Sequence, residues 1–173
     1  MASNPLRNQF VARATIDIAE TGTLSAGTVH QTGVFIPEGA IMTRSYYYVT
    51  TTLTDGGDDN TVIELGITSD DDCILTAALG VISDATSTNM NGVATGNLDA
   101  GLHVGLIGIP ALGVDNAHDT AVEVAGLMAA GMKVSTVNEE IIMTVATDVL
   151  SAGKLDIYVE YFLTGVLSYS LII

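Results

Sequence analysis

Apolar positions in this chain recur every second residue in short runs, and glycines break the runs at intervals. Between residues 14 and 20, Ile16 and Ile18 alternate with Asp17 and Glu20, the period of a half-buried strand. A turn over residues 22–27 and a second strand over residues 28–36, carrying His30 and Gln31, follow. Ile36-Pro37-Glu38-Gly39 predicts another turn: Pro37 fixes its own φ and keeps Ile36 extended, and Gly39 can take the positive φ that closes it. The next residues, up to Asp55-Gly56-Gly57, are β-branched and aromatic with no helical period, which predicts a long strand central in a sheet. Its Tyr46, Tyr47 and Tyr48 put rings on both faces, because neighbouring strand side chains point opposite ways. A sandwich core on one side and a subunit contact on the other would cover both.

Residues 60–68 alternate Val62, Glu64 and Gly66 against Ile63, Leu65 and Ile67, predicting a return strand and a hairpin across the acidic loop 55–59. Asp70-Asp71-Asp72 ahead of Cys73-Ile74-Leu75 predicts a short helix capped by an aspartate and limited by Gly80. Residues 83–119 are rich in Gly, Ala, Asn and Thr, as expected of short strands and long loops; the helix favoured by Ala and Leu over 121–132 is weakened by Gly126 and Gly131. A strand is expected again at 139–147, and alternation returns at 155–163, where Leu155, Ile157, Val159 and Tyr161 share one face and Asp156, Tyr158, Glu160 and Phe162 the other. With a turn over 150–154, these two segments predict a C-terminal hairpin. Hairpins separated by Gly-rich turns define the expected fold class: all-β, an antiparallel β-sandwich of the jelly-roll type with short N- and C-terminal arms. The expected division is an arm over 1–13, the sandwich over 14–164 and an apolar tail over 165–173.

Composition adds constraints. A length of 173 residues suits one domain with its own core, and Cys73 as the single cysteine excludes an intrachain disulfide and a cysteine zinc cluster. The net charge of -15 argues against sequence-independent nucleic-acid binding and against anionic membranes, both of which require Lys and Arg. The charge is uneven: residues 1–16 carry Arg7 and Arg13 and no acid. This basic segment is either a frayed terminus or an arm that orders on an acidic partner surface or a neighbouring copy. Residues 1–10 lack the apolar core of a signal peptide, and the polar-interrupted stretch 157–173 falls short of the roughly 20 residues that span a bilayer.

Candidate chemistry is sparse. His30, His103 and His118 have no paired metal spacing, and structural or solvated roles suit them better than catalysis. The acidic loops 55–59 and 70–72 offer hard oxygen ligands but not the spaced pattern of a calcium loop, so no metal and no cofactor is expected. The glycines between Gly101 and Gly113 lack the Lys-Ser/Thr end of a phosphate loop and read as linking or close backbone packing. No nucleophile elbow occurs, and a non-enzymatic chain is expected.

Three segments together carry a resemblance: Phe35 through Thr54, Thr61 through Ile67, and Leu150 through Tyr161. They resemble small virion structural proteins of tailed bacteriophages, including cyanophages, and in particular jelly-roll head decoration, or cement, proteins. The resemblance implies a homotrimer on the outside of the capsid that bridges and stabilises neighbouring major capsid protein subunits. On that basis Tyr46, Tyr47, Tyr48, Leu167, Tyr169, Leu171, Ile172 and Ile173 are expected at the subunit interface, and Arg7 and Arg13 at the capsid. A phage tail or fibre component and a jelly-roll carbohydrate-binding module are the alternatives.

Overall fold

The structure, a computed structural model, describes residues 9–55, 61–75, 101–105, 107 and 133–163. Its elements are β1 (Gln9–Asp17), α1 (Ile18–Thr21), β2 (Leu24–Ser25), β3 (Thr28–Ile36), β4 (Ala40–Asp55), β5 (Val62–Ile67), β6 (Asp70–Leu75), β7 (Gly101–Val104), β8 (Lys133–Val134), β9 (Glu139–Thr147) and β10 (Val149–Leu163). They form two antiparallel sheets. The first has the order β1-β10-β4-β7, with β2 on β10 and β8 on β4; the second has the order β3-β9-β5-β6. Leaving aside the two-residue strands β2 and β8, the first strand pairs with the last and so on inward: β1 with β10, β3 with β9, β4 with β7, β5 with β6. The chain is one long hairpin folded over on itself, closed by the β10–β4 and β9–β5 ladders. That is the jelly-roll arrangement of an all-β sandwich.

Alternation decides which side faces in. Ala12, Ala14 and Ile16 of β1, Leu155, Ile157 and Val159 of β10, and Tyr47 and Val49 of β4 are buried against Ile63, Leu65 and Ile67 of β5 and Ile141, Met143 and Val145 of β9. The expected strands 28–36 and 139–147 match β3 and β9. The Pro37 turn forms as expected, with Gly39 at φ 79 and the Ala40 amide donating to the Pro37 carbonyl at 3.1 Å.

Several expectations are corrected. Neither predicted hairpin forms: β4 and β9 each hand the chain to the opposite sheet, and among the described strands β5–β6 is the pairing of chain neighbours within one sheet. Periodicity identifies a strand's buried face but not its partner. Between β9 and β10 the crossing is made in one residue, Asp148, at φ 54, a conformation Asp tolerates better than most side chains. The helix expected from Cys73 is instead strand β6, because Ile74 and Leu75 are buried in the core while β5 supplies the backbone partners. The first strand starts at Gln9, so residues 9–13 belong to the sheet and not to an arm, and it stops at Asp17. There the Asp17 carboxylate accepts from the Ala19 amide at 3.0 Å and turns the chain into α1, which keeps Ile18 inside. Residues 83–100 and 108–132, the loop 56–60 and the tail 165–173 lie outside the described residues.

The expectation of close packing in the glycine run is met at Gly105. Its amide donates to the Ser45 carbonyl at 2.9 Å, and Ile107 exchanges two further hydrogen bonds with Ser45. A Cβ at Gly105 would come within 2.9 Å of Ser45 Cβ and 3.0 Å of Ile74 Cγ2, and closer still to Ser45 Oγ. Gly105→Ala should therefore destabilise the sandwich by roughly 1–3 kcal/mol, the usual cost of overpacking. A denaturant titration in which the variant unfolds at the wild-type midpoint would contradict this close approach.

Candidate interaction surface

The outward side of the first sheet is built row by row from the register. One row across the strands is Arg13, Tyr158 and Tyr46; the next is Thr15, Asp156, Tyr48 and Leu102; a third is Val11, Glu160 and Arg44. Tyr46 and Tyr158 stack with ring centroids 4.8 Å apart and planes 11° apart, as cross-strand aromatic pairs do. The Arg13 guanidinium lies 5.8 Å from the Tyr158 ring centroid, within cation–π reach, and donates to Asp156 at 2.9 Å. Asp156 also accepts from the Thr15 hydroxyl at 2.5 Å. Further along, Lys154 Nζ meets Asp17 at 2.7 Å and Gln9 donates to Glu160 at 3.3 Å.

Beside this polar network the face is open and apolar: Val11 is 52% exposed, Tyr48 43% and Leu102 61%. The second sheet differs. Glu64 and Ile142, on the outward side of β5 and β9, are buried. Its β3 edge is irregular between Gln31 and Phe35, where Gly33 donates its amide to the Glu140 carboxylate at 2.6 Å and Thr32 donates to the Ile141 carbonyl at 2.7 Å.

Of the residues expected at a subunit interface, Tyr48 is exposed, Tyr46 half-buried and Tyr47 fully buried. Tyr47 is corrected to a core residue: its inward position stacks it on His103, centroids 5.1 Å apart. The Tyr47 hydroxyl has no hydrogen-bond partner among the described residues, and burial pushes the phenol well above its usual pKa. Leu167, Tyr169, Leu171, Ile172 and Ile173 lie outside the described residues, as does Arg7. Arg13 is a sheet residue, its side chain 60% exposed although ion-paired. His103 is buried on β7, His30 half-buried on β3, and His118 lies outside the described residues. Asp70 to Asp72 lie on β6, and no group of His, Cys, Asp or Glu placed to hold a metal ion occurs among the described residues. Sequence inspection did not single out Asp156, Tyr158, Arg44 or Leu102. The alternation of β10 had already turned Asp156 and Tyr158 outward, but only the register shows their neighbours.

Asp156 is the electrostatic centre of the face. Burial alone would raise its carboxyl pKa; the hydrogen bonds from Thr15 and Arg13, with the charges of Arg13 and Lys154, outweigh that and hold it below the ordinary value. A carboxylate depressed in the folded state binds fewer protons there than in the unfolded chain, so its contribution is full above the unfolded pKa near 4 and is lost as pH falls through the folded value. Asp156→Asn should flatten the fall of melting temperature between about pH 5 and pH 2. Identical pH profiles for variant and wild type would show that the Arg13–Asp156–Thr15 network contributes nothing to acid sensitivity.

No protein-family model matches the chain, and no curated protein matches it. Solved structures that share its fold include three from bacteriophages. A chain of the cyanophage Pam1 capsid asymmetric unit superposes with a TM-score of 0.55 at 14% identity, over 94% of this chain and 91% of that one. A chain of the acidic stable capsid of Helicobacter pylori bacteriophage KHP30 gives 0.50 at 14% identity, over 91% and 90%. One from the capsid of Ralstonia phage GP4 gives 0.50 at 12% identity, over 95% and 90%. At these identities the likeness is one of fold.

Proposed function

We propose that this chain is a non-enzymatic structural protein of a phage virion, a decoration or cement protein on the outer surface of the head. It bridges neighbouring major capsid protein subunits, acts as a homotrimer and uses no cofactor. The observation that carries the proposal is the reciprocal extent of the fold likeness: nine-tenths or more of this chain matches nine-tenths or more of chains in three phage capsid structures.

The charge supports the exterior side. A body of -15 facing packaged DNA would be repelled by the phosphates, whereas on the outside it meets only solvent and the shell. Stabilisation follows from mass action, because a chain that binds only the assembled shell favours assembly. In this proposal Arg7 docks on the shell. Tyr46, Tyr48 and the C-terminal residues Leu167, Tyr169, Leu171, Ile172 and Ile173 pack copies of the chain together.

Immunogold labelling of intact virions with an antibody to this chain should decorate the heads. Label confined to tails would transfer the chain to the tail or fibre apparatus, and absence of label would remove it from the virion exterior. A chain lacking residues 1–8, which leaves β1 intact, should bind heads more weakly than the full chain in a co-sedimentation assay. Equal binding would end the docking role of Arg7. Retention on a glycan array that a chelator abolishes, without binding to heads, would favour a carbohydrate-binding module instead.

A further inference from the structure

The outward face of the first sheet has a property that its apolar residues alone do not reveal. Between Asp17 and Gln9 on β1, Lys154 and Phe162 on β10, and Ile41 and Thr50 on β4, the outward charges are Arg13, Arg44 and Lys154 against Asp17, Asp156 and Glu160. Three cations face three anions, so the face is neutral. The pairing is local: Arg13 holds Asp156, Lys154 holds Asp17, and Arg44 stands directly across the ladder from Glu160. With those six removed, 17 of the 20 acidic and 2 of the 5 basic side chains remain, and the whole net charge of -15 belongs to the rest of the chain.

Neutrality of this kind matters for one class of occupant. A basic partner would be drawn to the acidic remainder and gains nothing from a face whose charges sum to zero. A second copy of this chain carries the same -15, and two such bodies repel wherever their acidic parts meet. A neutral, self-paired face with Tyr48 and Leu102 exposed is where they can approach without opposing like charges. We propose that the outward face of the β1-β10-β4-β7 sheet is the self-association face of the chain, with Tyr46, Tyr48 and Leu102 as its apolar contacts. The inference rests on the homo-oligomer part of the function proposed above and not on attachment to heads, so head labelling and self-association can fail separately.

The test is sedimentation of the full chain across a concentration series at rising salt. Self-association should strengthen between about 50 mM and 500 mM sodium chloride, as the screening length shortens from roughly 14 Å to roughly 4 Å and the residual repulsion fades. Leu102→Glu and Leu102→Lys should each weaken it by about tenfold or more, because either charge enters the contact unpaired. Val29→Glu, at an exposed position on the second sheet, should leave it unchanged. Melting curves will show that each variant is folded, and Tyr48→Glu replaces either Leu102 variant that is not. A monomer at every salt and concentration overturns the proposal. So does association that weakens as salt rises, strengthening by Leu102→Lys, or equal loss in Val29→Glu and Leu102→Glu.

Discussion

The structure depends on the ladder between β4 and β10, its two longest strands. It runs from Leu150 opposite Asp55 to Leu163 opposite Ala40, and the far edge of β10 carries β1. A strand flanked on both sides has no freedom of register. A slip of one residue would carry Ile157 to solvent and the Asp156 carboxylate into the core, and would reverse every other position with them. Irregularities in the ladder adjust its phase locally. One leaves Thr43 between Arg44 and Met42 without a direct partner, so that Met42 and Ser45 are both buried although three positions apart. Because β1 pairs with β10, the first sheet closes only when the beginning and end of the described chain meet. Such distant pairing makes loop-closure entropy a cost met before the contacts form, and slow folding is its ordinary kinetic result.

The same register creates the chemistry of the outer face. Asp156 is a carboxylate with little solvent of its own, and an unpaired charge there would be costly. Opposite it the ladder sets Thr15, and one position along the same face of β1 sets Arg13, so the two donors arrive because the strands are aligned. Ion pairs as exposed as Lys154–Asp17 add little to stability. Their effect is on the field: they cancel charge in place, leaving a surface on which aromatic and apolar contacts are not opposed by net charge.

Faces could be read from the chain and partners could not. The strands β3 and β9 were legible as strands, and alternation assigned the inner and outer sides of β10 and identified the core side of β5. Pro37 and Gly39 marked their turn because a turn is a local event with local residue requirements. The two expected hairpins failed because a run of alternating residues pairs equally well within its own sheet or after crossing to the other. Tyr47 looked like Tyr46 and Tyr48, and only its inward phase in β4 separates a core ring from surface rings. The aspartates before Cys73 imitated a helix cap, but burying Ile74 and Leu75 against a waiting β5 edge outweighed a cap preference of about 1 kcal/mol.

The distribution of charge then separates the two sheets. Arg13, Arg44, Lys133 and Lys154 all lie on strands of the first sheet, and the strands of the second carry acids, among them Glu64, Asp70, Asp71, Asp72, Glu139 and Glu140, with no Lys or Arg. Among the described strands, charge is mixed on the first sheet and negative on the second. On the first sheet, the charged groups at a contact would be Arg13, Arg44 and Lys154 with Asp17, Asp156 and Glu160, which sum to zero. Two copies that meet on a face of this sort bring no net charge into their contact. Six side chains around Asp156 and Lys154 supply that balance, two ion pairs and one cross-strand pair, and the register of one strand, β10, sets them in place.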